Sequence, residues 1–148
     1  MLYDYFVAAD DAMAEEAYTE QGGGRCAGYE ELAVKGADPH DLLPIEISLT
    51  GRTAEELEAD PRRCQLVGEF DEDEQAEMES AVVTLTDACR DALAVAEDDA
   101  LHTAVVAFAA AQEEPGDTSG LFPFLKELAV LAKGAAANGH HLYCQIVW

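Results

Sequence analysis

Four histidines, four cysteines and a dense run of acids are the side chains in this sequence with the chemistry to hold a metal ion or move a proton. His140-His141-x-x-Cys144 brings nitrogen and sulfur donors into one short stretch. On a strand, His140 and Cys144 share a face but stand roughly 13 Å apart, at ~3.3 Å per residue. A zinc ion, with ligand bonds of about 2.0–2.3 Å, does not span that gap without donors from elsewhere. We read a turn followed by a core cysteine and expect no metal site. His40, Asp41, Glu46 and His102 supply acid–base residue types. A general base needs hydrogen-bond geometry first, and spacing alone provides no such constellation. No catalytic residue is assigned.

The acidic run comprises Glu69, Asp71, Glu72, Asp73, Glu74, Glu77 and Glu79. It lacks the alternating acids and the glycine with which a calcium loop wraps its ion. A solvated loop or helix N-terminus is one reading. A docking surface for a basic partner, built from Glu69, Asp71, Glu72, Asp73, Glu74 and Glu77, is another. Gly22-Gly23-Gly24 is followed by no Gly-Lys-Ser/Thr and reads as a loop. Neither G-x-G-x-x-G, G-x-S-x-G nor H-E-x-x-H occurs, so no cofactor is expected and the sequence leans against an enzyme.

The whole chain shares this acidity. Thirty-one acids face eight bases, for a formal charge of -23 over 148 residues. Such a surface repels nucleic acid and anionic membranes, attracts basic proteins and cations, and repels itself. The same composition also arises where a whole proteome is acidic, lysine-poor and alanine-rich, as in high-salt or GC-rich organisms. Three functions stay open: a non-catalytic protein-binding module of inhibitor or immunity type that docks a basic partner, a DNA mimic occupying a nucleic-acid-binding groove, and a small enzyme of unknown class. The cysteines, Cys26, Cys64, Cys89 and Cys144, form no C-x-x-C pair, and the acidic start MLYDYFVAADD has no long apolar segment. We expect reduced cysteines, a cytoplasmic protein and no membrane span. The oligomeric state is left open.

The elements that must carry these residues are legible from period and punctuation. LYDYFV at 2–7 alternates as a strand, and Asp10 or Asp11 caps a helix through about Glu20. YEELAVK at 29–35 reads as extended, Asp38-Pro39 as a short turn, and a helix starts near Leu42 with Pro44 in its first turn. Leu42, Ile45 and Leu49 share its buried face, and Thr50-Gly51 closes it. Thr53 and Glu56 form a capping box. CQLVG at 64–68 is a short strand or connector, AVVTL at 81–85 a buried strand, and Thr86 the cap of a helix through Ala96. Helices follow over about 98–112 and 120–137, the second stopped by Asn138-Gly139, with a final strand at 141–148. This pattern predicts one helix-rich α+β domain over 1–148: a small, largely antiparallel sheet with helices packed on it, and both terminal strands in that sheet.

The order of features resembles the YfbM-like family of small bacterial proteins. The resemblance rests on the aromatic first strand, LAVKGADPHDLLPIEISLTG at 32–51, LVGE at 66–69, VTLTDACRDAL at 83–93, and the late helix and strand LKELAVLAKGAAANGHHLYCQIVW. That family has no established activity, so the resemblance implies a fold and no site.

Overall fold

The computed structural model describes residues 2–20, 34–68, 70–113 and 116–148. Its sheet is antiparallel throughout, in the order β2-β1-β4-β3. Strand β1 (Leu2–Ala8) pairs along its full length with β4 (His141–Val147), so the two ends of the chain form the centre of the sheet. Strand β3 (Ser80–Thr84) pairs with the outer edge of β4, and the two-residue β2 (Val34–Lys35) with that of β1. The connector 64–67 hydrogen-bonds to the free edge of β3 through Cys64 N–H to Thr84 C=O, Thr84 N–H to Gln65 C=O and Val67 N–H to Val82 C=O. It thereby covers an edge that would otherwise invite pairing with another chain.

Alternation along the strands divides the core in two. Tyr5, Val7, Val83, Leu142, Cys144 and Ile146 face the larger cluster. Helices α2 (Leu43–Thr50), α5 (Asp87–Val95), α6 (Asp98–Ala111) and α7 (Leu121–Asn138) cover it with Ile45, Leu93, Leu101, Phe124, Leu125, Leu128 and their neighbours. Phe6, Ala8, Val82 and Tyr143 point the other way and meet Ala14 of α1 (Asp11–Glu20) and Val67. Short helices α3 (Ala54–Glu58) and α4 (Glu72–Glu77) lie in the long connection between α2 and β3. The expected helix-rich α+β architecture, with both terminal strands in one sheet, is what the chain adopts. The expectations for Gly22–Gly24 and for 29–33 lie outside the described residues.

Local chemistry sets the helix boundaries. Asp10 accepts the Met13 N–H at 2.8 Å, Thr53 the Glu56 N–H at 3.2 Å and Thr86 the Cys89 N–H at 3.1 Å. These caps satisfy donors that a helix start leaves open. In the box at Thr53, the Glu56 carboxylate accepts a hydrogen bond from the Thr53 hydroxyl at 3.2 Å. Asp38 caps the 3-10 turn Pro39–Leu42 that leads into α2. Gly51 and Gly139 end α2 and α7 with φ of 70° and 68°, a left-handed backbone that a side chain disfavours. Thr86 is wholly buried, so its hydroxyl has no water to replace a lost partner. Thr86→Ala should lower stability by about 1–2 kcal/mol and Thr86→Ser by less, read as a shift of the urea midpoint.

Candidate functional site

The acids singled out in the sequence lie on and around α4. Asp71 is its N-cap and accepts the Glu74 N–H at 2.7 Å, while Glu72, Asp73 and Glu74 fill the first turn. Negative charge there complements the positive end of the helix dipole. Gln75 Nε2 donates to the Phe70 carbonyl and ties the helix to the preceding chain. Residues 71–77 are all exposed. Glu69 lies outside the described residues. The helix therefore gathers Asp71, Glu72, Asp73, Glu74 and Glu77 into one short acidic ridge.

No ion pair reaches this ridge among the described residues, and four of the eight bases are engaged elsewhere. Arg62 pairs with Asp11, Arg63 with Glu46, Arg90 with Asp87 and Asp91, and Lys126 with Asp98. Two of these pairs come from one turn. Thr84 Oγ1 donates to the Arg62 carbonyl and accepts the Gln65 N–H, pinning residues 62–65 against β3. The two adjacent arginines then leave in different directions. Arg62 Nη1 lies 2.8 Å from both oxygens of Asp11, whose Oδ1 also accepts the Tyr143 hydroxyl at 2.7 Å. Its guanidinium carbon sits 5.8 Å from the Tyr143 ring centroid, within range of a cation–π attraction. Burial pushes the Asp11 carboxyl up, but the hydrogen bonds from Arg62 and Tyr143 outweigh it and hold the group below its ordinary value. Burial and the neighbouring Asp11 raise the Tyr143 hydroxyl.

Arg63 turns toward α2. Its Nε and Nη2 both lie 3.0 Å from Glu46 Oε2, and Nη2 reaches the His40 carbonyl at 3.3 Å. Glu46 is buried, and burial raises its carboxyl despite the opposing pull of Arg63.

No hydrogen bond joins the side chains of His40, Asp41, Glu46 and His102 to one another among the described residues. His40 Nδ1 meets Asp38 Oδ1 at 2.8 Å, and Asp38 Oδ2 accepts the Tyr3 hydroxyl at 3.1 Å. Burial raises the Asp38 carboxyl, and its bonds with His40 and Tyr3 more than reverse that. Asp41 is exposed, Glu46 is held by Arg63, and His102 stacks on Phe122 at 3.8 Å between ring centroids. His141 Nδ1 meets Asp87 at 2.7 Å on the sheet face opposite Cys144, which is buried in the main core. His141 and Cys144 therefore do not face one common metal ion, and no group of three metal-binding side chains occurs among the described residues.

The thiols Cys64, Cys89 and Cys144 are free. Burial raises all three, Cys64 to about 11, which keeps them protonated and unreactive at neutral pH. No described helix is long and apolar enough to cross a membrane.

Sequence reasoning missed the Arg62–Asp11–Tyr143 cluster. Its one local signal is that Arg62-Arg63 is the only adjacent pair of bases in a chain with eight.

Comparison with known proteins finds no matching family model, no matching curated protein and no matching solved structure.

Proposed function

We propose that this protein is a non-catalytic binding module, of inhibitor or immunity type, whose α4 ridge docks a basic protein. One observation carries the reading. Glu72, Asp73, Glu74 and Glu77 are exposed and form no ion pair among the described residues, while Arg62, Arg63, Arg90 and Lys126 are paired with acids elsewhere. A chain with so few bases leaves this ridge to be neutralised from outside. Complementary charge raises association rates and makes binding depend steeply on salt. The likeness to the YfbM-like family remains our reading of the sequence segments and adds no activity.

The test is affinity purification with mass spectrometry at two salt concentrations. The bait is the wild-type chain or a variant carrying Glu72→Gln, Asp73→Asn, Glu74→Gln and Glu77→Gln. Asp71 is kept, so the helix cap survives. A basic protein retained by the wild type at low salt, released at high salt and lost by the variant is the expected result. Equal capture by both baits, or none by either at low salt, refutes the reading.

A further inference from the structure

We propose that the cleft beside Gly36 is a binding site for a small organic ammonium ion with an apolar body. The cleft has a volume of about 300 Å³ and lies where the chain leaves β2, where α6 ends and where α7 begins. That volume is at the lower end for small-molecule sites, which combine mostly apolar walls with a few polar anchors. Ala37, Phe108, Leu121 and Phe124 supply the apolar walls. Phe108 is only half-buried, so part of the aromatic wall is open to an occupant.

Among the described residues, Asp117 is the one charged side chain lining the cleft. Hydrogen bonds from Ser119 hold its carboxyl below the ordinary value, so it is ionised at neutral pH. A carboxylate has about four acceptor positions, so those bonds leave capacity for an N–H donor from a ligand. Three ligand classes are disfavoured. An anion meets Asp117 and the field of a chain with a charge of -23. A bare divalent ion finds one carboxylate among apolar walls, where it needs about six oxygens. A neutral apolar molecule fits the walls but gains nothing from Asp117. An aryl- or alkylammonium ion satisfies walls and carboxylate together. This site is separate from the α4 ridge and stands whether or not a protein docks there.

The test is a titration of the ¹⁵N-labelled full chain with 2-phenylethylammonium, 2-phenylethanol and 3-phenylpropionate, following backbone amide shifts. The ammonium should shift Gly36, Gly120, Leu121 and Phe124 saturably, the alcohol should do so more weakly, and the carboxylate should leave them unmoved. Asp117→Asn should weaken the ammonium about fivefold, as expected for an exposed ion pair, and leave the alcohol unchanged. A Cβ at Gly120 meets no atom within 4 Å, so a side chain can begin there without a clash, and Gly120→Trp should block both ligands. Equal binding of ammonium and carboxylate, no saturable shift at these amides, or ammonium shifts spread evenly over the acidic surface would each overturn the proposal.

Discussion

Arg63→Ala should destabilise the protein by about 3 kcal/mol at pH 7, because it strands a buried carboxylate. The side chains of Arg63 and Glu46 are 12% and 5% exposed, so water does little to replace the lost partner. The substitution removes both donors to Glu46 Oε2 and the bond to the His40 carbonyl, which links the 3-10 turn to the 62–65 turn.

The loss has a signed pH dependence. The folded-state pKa of Glu46 already lies above its ordinary 4.5. Between 4.5 and that raised value the folded state holds more protons than the unfolded one, so this group destabilises the fold as pH rises through the window. Without Arg63 the window extends upward. The variant should therefore regain part of its loss between pH 7 and pH 5, while the wild type changes less. Asp11 and Asp38 behave oppositely. Their folded-state values lie below the ordinary 3.8, so the stability they contribute is present above 3.8 and disappears as pH falls through the lowered values. Urea unfolding at pH 7, 5 and 3 reads all of this. Adding Glu46→Gln to Arg63→Ala should recover stability at pH 7 by removing the stranded charge. A change within ±0.5 kcal/mol for Arg63→Ala, the range of ordinary surface substitutions, would contradict the account.

Gly36→Ala should cost about 2–3 kcal/mol through overpacking. A methyl group at position 36 would overlap the Phe124 ring at Cδ1, Cε1 and Cζ. The backbone side cannot yield cheaply. The backbone at Gly36 is fixed by its N–H bond to the Tyr3 carbonyl at 3.1 Å, and the next carbonyl, of Ala37, accepts the Tyr5 hydroxyl at 2.6 Å. The Phe124 ring is buried and packs at 5.2 Å and 52° against Tyr5. Shortening the ring should relieve the conflict, so Gly36→Ala with Phe124→Leu should lose less than the two single changes added together. A thermal double-mutant cycle measures that coupling, expected at about 1–2 kcal/mol. Strict additivity would show that the ring is not the obstacle.

The features that could be read from sequence are those whose cause lies within one turn of chain. Thr86, Thr53 and Gly139 sit where caps and stops are needed, and each acts on an amide or carbonyl a few residues away. Asp71 was legible as part of an acidic helix start, since charge at that position complements the dipole. Asp11, Arg62 and Tyr143 were not, because they meet only once α1, the 62–65 turn and β4 are in place. The opposite courses of Arg62 and Arg63 depend on the Thr84 contacts, which no local pattern announces. The close approach of Gly36 to Phe124 is of the same kind. The glycine is visible in sequence, but the ring that requires it arrives from α7.

The pairing of β1 with β4 sets a condition on how the protein is made. β1 leaves the ribosome well before its full-length partner, His141–Val147, which emerges only after α7. At ~5–20 residues per second that interval is on the order of ten seconds. Throughout it, Tyr5, Phe6 and Val7 have no central neighbour, and β3 also lacks the strand it pairs with. The helices can form while the chain is still being synthesised, whereas the β1–β4 and β3–β4 pairings at the centre of the sheet come late. Cells producing this protein should therefore hold a nascent chain that is helical, open along β1 and a natural client for chaperones until its last strand docks.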